Sequence, residues 1–153
     1  MNFNFPKLNL PLVKFKLKSY ENSHFEIWDV VRKKYIVLTP EEWVRQHWVH
    51  LLHSQYGYPL GLISVEKQVS KKSPKDLRFD IVCYNNLGKQ VILIECKAYE
   101  VPINQKTLNQ ALTYNYHLNI PYIILSNGYK HELFTFRNKQ IVKIKQLPHY
   151  SEL

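Results

Sequence analysis

LRFDIVCYNNLGKQVILIECKA, Leu77 to Ala98, consists of two apolar runs split by Asn85-Asn86-Leu87-Gly88. Asn, Asn and Gly are turn formers, so the segment reads as an antiparallel hairpin. Its second arm, QVILIECKA, is almost continuously apolar, the pattern of a central strand buried on both faces. Two residues in that arm break the pattern, Glu95 and Lys97. They are two positions apart and therefore share one face of the sheet. A two-residue turn at Leu87-Gly88 would place Asp80, on the first arm, opposite Glu95. Like charges facing each other across a sheet are destabilising, and a cation between them is the simplest relief. Hard oxygen ligands of this kind suit Mg²⁺ or Mn²⁺. A plain cross-strand ion pair, with Lys97 neutralising one carboxylate, is the competing reading.

Working outward, Phe25 to Leu38 has β-branched and aromatic residues on both sides of Arg32-Lys33-Lys34, the pattern of a short hairpin. A helix follows. Thr39 is its N-cap, Pro40 takes the first helical position, Glu41 and Glu42 fall in the first turn, and Glu42 sits where a capping box needs it. Val44, Trp48, Leu51 and Leu52 form its apolar face, and it should end near Gly57. In projection Glu41 lies on the inward side between Trp48 and Leu52, whereas Glu42 lies off it with Arg45, Val49 and His53. A first-turn Glu solvated at the helix end is the alternative for Glu41. Leu62 to Val69 reads as a strand, Asn104 to Leu118 as a second helix with Asn104 as N-cap, and Tyr122 to Leu125, Leu133 to Phe136 and Gln140 to Ile144 as three more strands. This order describes an α/β domain with a mixed β-sheet flanked by helices and an N-terminal β-hairpin. The expected organisation is an extension at 1–24, one domain at 25–148 and a tail at 149–153.

The composition supports one globular domain: 153 residues, 45% hydrophobic and 14% aromatic, with four glycines and no repeats. Cys83 and Cys96 are too few for a disulfide framework and do not form a C-x-x-C pair. They read as small buried hydrophobes. The start of the chain has no uninterrupted apolar core or small-residue cleavage site, and no stretch approaches 18 apolar residues. A cytoplasmic location with no membrane partner is therefore expected. Against 12 acidic residues stand 21 Lys and Arg, a formal charge of +9, which favours a polyanion such as DNA as partner. Lys67, Lys71, Lys72, Lys75 and Arg78 lie on or beside the segment leading to Asp80, placed for phosphate contacts, or equally for a solvated loop.

Asp80, fourteen intervening residues, then Glu95-Cys96-Lys97 at a hairpin resembles the core of the PD-(D/E)xK nuclease superfamily. Gln110-Ala111-Leu112-Thr113-Tyr114 is similar to the Q-x-x-x-Y element of its RecB-like branch, whose two named residues share a helix side. DVVRKKYIVLTPEEWVRQ, VEKQV, RFDIVCY and ILIECKA resemble the N-terminal nuclease domain of type I restriction enzyme R subunits, in a small free-standing form. The likeness spans residues 25–136. One departure is Phe79, which stands where the superfamily name has proline. The resemblance implies a restriction-endonuclease-like sheet and a Mg²⁺- or Mn²⁺-dependent endonuclease acting on DNA. It implies that Asp80, Glu95 and the backbone carbonyl of Cys96 hold the ion, while Lys97 orients water or stabilises charge on the phosphate. Glu41 would bind the same ion through water or help to hold a second, with Glu66 a weaker candidate. Gln110 and Tyr114 would position the DNA backbone or Lys97. The G-x-x-x-x-G-K-[ST] loop is absent, so ATP-driven translocation is not expected of this polypeptide. A homodimer is a reasonable expectation where both strands are cut.

His47, His50 and His53 recur every three residues, but each step of three turns about 60° backwards around a helix. They are expected as surface histidines spread around the polar side rather than as a ligand set. The aromatic excess, eleven tyrosines included, is put down mainly to core packing, with stacking on single-stranded DNA as a lesser use. Two rivals to the nuclease reading remain: a nucleic-acid-binding or assembly module that keeps the fold without cleaving, and a structural domain with an ion-paired hairpin.

Overall fold

In the computed structural model of the chain, residues 4–20, 24–68, 78–138 and 140–153 are described. Three short strands, β1 (Leu17–Ser19), β2 (Phe25–Asp29) and β3 (Lys34–Val37), form an antiparallel sheet in that order. The expected hairpin from Phe25 to Leu38 is therefore present and gains a third strand from the N-terminal segment. The helix α1 (Pro40–Ser54) follows, then β4 (Ile63–Gln68), β5 (Arg78–Tyr84) and β6 (Gln90–Cys96). The helix α2 (Gln105–Leu118) connects β6 to β7 (Tyr122–Ser126), and β8 (His131–Arg137) and β9 (Gln140–Ile144) complete a six-stranded sheet in sequence order. Within it only β6 and β7 are parallel, as the α2 crossover requires. The chain is thus α/β with a mixed sheet, as expected from the order of its elements.

The cap of α1 is the one its sequence specifies. The Thr39 hydroxyl accepts the Glu42 N–H at 3.1 Å, and Pro40 opens the helix. The helix does not have one wet face, however. Glu42, Trp43, Val44, Arg45, Gln46, His47, Trp48, Val49, Leu51 and Leu52 are all buried, because α1 is wrapped from several sides. Leu8 and Leu10 from the N-terminal segment, Ile27 from β2, and Ile63, Ile81, Ile92 and Ile94 from the large sheet share one hydrophobic cluster with it. The Trp43 indole N–H donates to Pro6 O at 3.0 Å. Residues expected as an N-terminal extension therefore pack into the domain.

A second, smaller cluster joins Phe79, Val82, Leu93 and Ile120, with Leu118 from the end of α2 against it. That end is set by Asn115, whose fully buried amide accepts from Ile120 N–H and donates to Ile120 O, and by Asn119 in the left-handed region at φ 54°.

The β5–β6 hairpin keeps its expected register, Ile81↔Ile94, Val82↔Leu93 and Cys83↔Ile92, by a different route. The turn has three residues between Asn85 and Lys89, organised by the Asn85 side chain, which accepts from Leu87 N–H and Lys89 N–H at 3.0 Å each. Gly88 supplies the left-handed residue at φ 71° that this loop needs. A register shift between Cys83 and Tyr84 then absorbs the extra residue.

The cap orients the first turn of α1 toward the hairpin, so Thr39→Ala should cost about 1 kcal/mol of stability. Urea denaturation at neutral pH measures it, and an unchanged midpoint would show that tertiary burial alone holds the helix start.

Candidate functional site

The paired register of β5 and β6 stops at Ile81↔Ile94, one step short of the expected Asp80–Glu95 pair. Phe79 and Val82, three residues apart, pack in the same cluster, so the alternation of β5 breaks between them. The neighbouring strand is irregular at the same level: Glu66, between the paired residues Val65 and Lys67, has φ 51°. Such a conformation in a non-glycine residue costs energy and concentrates at functional sites. Released from the ladder, the Asp80 carboxylate reaches over the end of β6, and its Oδ2 accepts the Cys96 N–H at 2.7 Å.

The other oxygen of Asp80 meets α1. Arg45 Nη2 donates to Asp80 Oδ1 at 2.5 Å and to Glu41 Oε1 at 2.8 Å. Its Nη1 pairs with Glu42 and lies 3.6 Å from Glu66 Oε1. The Arg45 side chain is only 5% exposed. Burial opposes its charge, but Asp80 and Glu42 outweigh that and raise its pKa well above the ordinary value. Behind it stands a second guanidinium. Arg32 bonds Asp29 Oδ2 at 2.5 Å, Glu42 Oε1 at 2.8 Å and Glu66 Oε2 at 2.6 Å. Asp29 is fully buried, and burial acts against its charge, yet the Arg32 and Val31 N–H groups and the Arg32 guanidinium hold its carboxyl below the usual range.

Glu95 and Lys97 project from the end of β6, joined at 2.9 Å, both partly exposed. Burial, then the Asp80 charge, pushes the Glu95 carboxyl up to about 7, although Lys97 works in the opposite direction. Burial and the Asp80 charge likewise raise Glu41, despite Arg45 and Lys97. Lys97 loses some basicity to burial and regains more from Glu95, Asp80 and Glu41, so its pKa is raised and it stays an ammonium. Among the described residues, Asp29, Glu41, Glu42, Glu66, Asp80 and Glu95 thus face Arg32, Arg45 and Lys97, three carboxylates more than cations, inside a protein of net charge +9. Half of the chain's 12 acidic residues are gathered here.

The expected site residues therefore have different fates. Asp80, Glu95, Lys97 and Glu41 sense one another's charge. The helical projection misassigned the first turn of α1. Glu42 is the buried carboxylate, while the Glu41 side chain is 45% exposed at the rim beside Asp80. Instead of closing a capping box, the Glu42 carboxylate accepts from Arg32, Arg45 and Gln46. Gln110 lies on an exposed part of α2, and Arg78 is exposed at the start of β5. Lys71, Lys72 and Lys75 lie outside the described residues, as do the side chains of Lys67 and Tyr114. His47 is not a surface histidine. It is buried, bonded through Nδ1 to Trp43 O at 2.8 Å, with the Phe15 ring 4.8 Å away, because the N-terminal segment covers the side of α1 that would otherwise be wet. Among the described residues no group of three or more His, Cys, Asp or Glu side chains is arranged as a ready cation cage. Arg45 and Arg32 were not singled out from the sequence. The available signal was the excess of acids in Glu41-Glu42 and Asp29, which needed buried counter-charges.

Fold and site together define an α/β domain that carries a carboxylate-rich centre at the open end of a sheet hairpin. Residues 40–148 match the family described as type I restriction enzyme R protein N terminus (HSDR_N), and the chain belongs to that family. Membership places it in a restriction-enzyme context. Among curated proteins none matches the chain. No helix among the described residues is long and apolar enough to cross a membrane.

Two outcomes follow from the electrostatics. Arg45→Met leaves Glu42 and Asp80 short of a buried partner and should destabilise the fold by about 3 kcal/mol. A double-mutant cycle with Glu42→Gln should recover part of that loss, and simple additivity would show that the pair does not interact. For Glu95 the folded carboxyl holds its proton more tightly than the unfolded chain, whose value is 4.5. Its contribution is therefore fully present below about 4.5 and is lost as pH rises toward about 7. In chelator, Glu95→Gln should accordingly gain on the wild type between pH 4.5 and 7, read by urea unfolding at several pH values, and a pH-independent difference would contradict it.

Proposed function

We propose that this domain is a divalent-metal-dependent endonuclease that hydrolyses phosphodiester bonds in DNA, with the PD-(D/E)xK arrangement formed by Asp80, Glu95 and Lys97. The observation that carries the reading is the gathering of Asp80, Glu95 and Glu41 around Lys97 at the hairpin end, more carboxylates than cations among the described residues, in a protein that is otherwise strongly basic. The donor set fits Mg²⁺ or Mn²⁺: Asp80, Glu95 and Glu41 offer hard carboxylate oxygens short of positive charge, and the Cys96 carbonyl is the neutral donor beside them. When bound, such an ion supplies Lewis acidity toward a phosphate oxygen and toward water.

The chain's own residues supply the rest. The Cys96 N–H and Arg45 fix Asp80 from two sides, which restricts its carboxylate to one orientation. Glu95 holds Lys97 at 2.9 Å. Because Lys97 remains protonated, it acts as a fixed positive charge and hydrogen-bond donor toward water or the phosphate rather than as a base. Glu95, whose carboxyl is pushed up to about 7 by burial and the Asp80 charge, is the group suited to exchange a proton near neutral pH, and the Glu41 carboxyl beside it is raised in the same direction. Gln110 on α2 and Arg78 on β5, both exposed, would contact the DNA backbone.

A second reading has a specific observation in its favour. Both oxygens of Asp80 already have donors within the protein, which would suit a module that binds nucleic acid without cutting it. One assay separates the two. Purified protein with plasmid DNA and Mg²⁺ or Mn²⁺ should nick or linearise it. Asp80→Ala and Lys97→Met should each lower the rate at least a hundredfold, and chelator should abolish cutting. Binding without metal-dependent cleavage in the wild type would overturn the endonuclease reading and leave the binding module.

A further inference from the structure

The small outer sheet has two faces of opposite character. On β2, Ile27 and Asp29 are fully buried toward α1, so Glu26 and Trp28 project the other way. Trp28 pairs in register with Tyr35 on β3, and their rings meet edge to face, centroids 5.2 Å apart. Neither residue is among those that build or line the hydrophobic clusters. Lys18 on β1 holds its ammonium 3.9 Å from the Tyr35 ring centroid. The carbonyl of Lys16 accepts the Trp28 N–H at 2.9 Å, which sets Lys16 in the same row as Trp28 and Tyr35. Tyr20, 49% exposed, extends the face, and its hydroxyl donates to Glu26 at 3.0 Å. The family match begins at residue 40, so this sheet lies outside the part of the chain it covers.

We propose that the outward face of β1–β3 is a docking platform for single-stranded DNA, on which an unpaired base stacks on Trp28 while Lys16 and Lys18 contact the flanking phosphates. The charge complementarity is a net positive one: the two lysines are exposed and outnumber the acid in their midst, Glu26, whose carboxylate is turned to the Tyr20 hydroxyl. Aromatic side chains on an open sheet face offer stacking surfaces that any base can use, and lysines beside them track the backbone. Bases in a duplex are stacked on one another and cannot use such a surface, which selects the single strand. The choice of DNA rests on the nuclease reading above. Trp28 and Asp29 are adjacent in β2 and point in opposite directions, so the platform is backed by the ion network that reaches Asp80.

The test uses intrinsic fluorescence. Trp43 and Trp48 are buried, at 7% and 3% exposure, whereas Trp28 is half-buried, which leaves it as the tryptophan a stacking base can reach. In chelator, so that nothing is cut, a twelve-residue oligo-dT should bind and quench the emission. Trp28→Phe, which keeps an aromatic ring and the fold, should bind with the quenching gone. The double reversal Lys16→Glu with Lys18→Glu, both on exposed side chains, should weaken binding at least tenfold. It should also flatten the log–log salt dependence by about 1.4. Quenching retained in Trp28→Phe, affinity unchanged by the lysine reversal, equal competition by a duplex of the same length, or tenfold tighter binding of the ribonucleotide oligomer would each overturn the proposal. Plasmid cleavage with no platform binding would sink the platform alone. Platform binding without any metal-dependent cleavage would sink the nuclease reading alone.

Discussion

A single guanidinium, that of Arg45, is buried among carboxylates contributed by three separate elements: Glu41 and Glu42 from α1, Glu66 from β4 and Asp80 from β5. Burying charge is costly, and the cost is recovered only when every charge has a partner at good geometry. Both terminal nitrogens of Arg45 are paired with carboxylates, those of α1 and that of Asp80 on the hairpin, at once. Through Glu42 and Gln46 the same network runs to Arg32 and Asp29, so that the outer sheet, α1 and the large sheet are joined by polar contacts as well as by apolar packing. Displacing any one of these groups strands another in a medium that solvates it poorly. The position of Asp80 is accordingly specified from two directions, by Arg45 and by the Cys96 N–H.

The same arrangement leaves the open end of the hairpin electrically unfinished. Arg32 and Arg45 are committed deep inside, and among the described residues Lys97 is the remaining cation of the site toward the surface. Burial, and after it the Asp80 charge, raises the carboxyls of Glu95 and of Glu41 at the rim. A basic protein with a small acidic centre has a field that draws a polyanion to its surface and a cation to one point. The metal-assisted reaction on a phosphodiester proposed above would draw on both fields.

Much of the architecture was legible in local patterns. The hairpin of residues 78–96, the Thr39 and Asn104 caps, the α2 crossover and the three closing strands each follow from turn chemistry, capping chemistry and periodicity that neighbouring residues enforce. Even the β5–β6 register came out as expected, although the loop has one more residue than supposed, because a register shift compensates for it. Glu95 and Lys97 stood out for an equally local reason: two charges two residues apart in an apolar strand have no inexpensive explanation.

Local chemistry thus determined both helices and their caps, the strands β2 to β9 to within a few residues, and which charged side chains sit at the hairpin end; β1 was not legible in it. Only the tertiary structure decided that Glu42 and Arg45 are interior while Glu41 is at the rim, that His47 is buried, and that Leu8 and Leu10 belong to the core. The physical reason is that a helical projection assumes one buried face, whereas α1 is enclosed by the N-terminal segment, the outer sheet and the six-stranded sheet together. Enclosure of that kind comes from segments far apart in the chain, and no periodicity within fifteen residues can encode it.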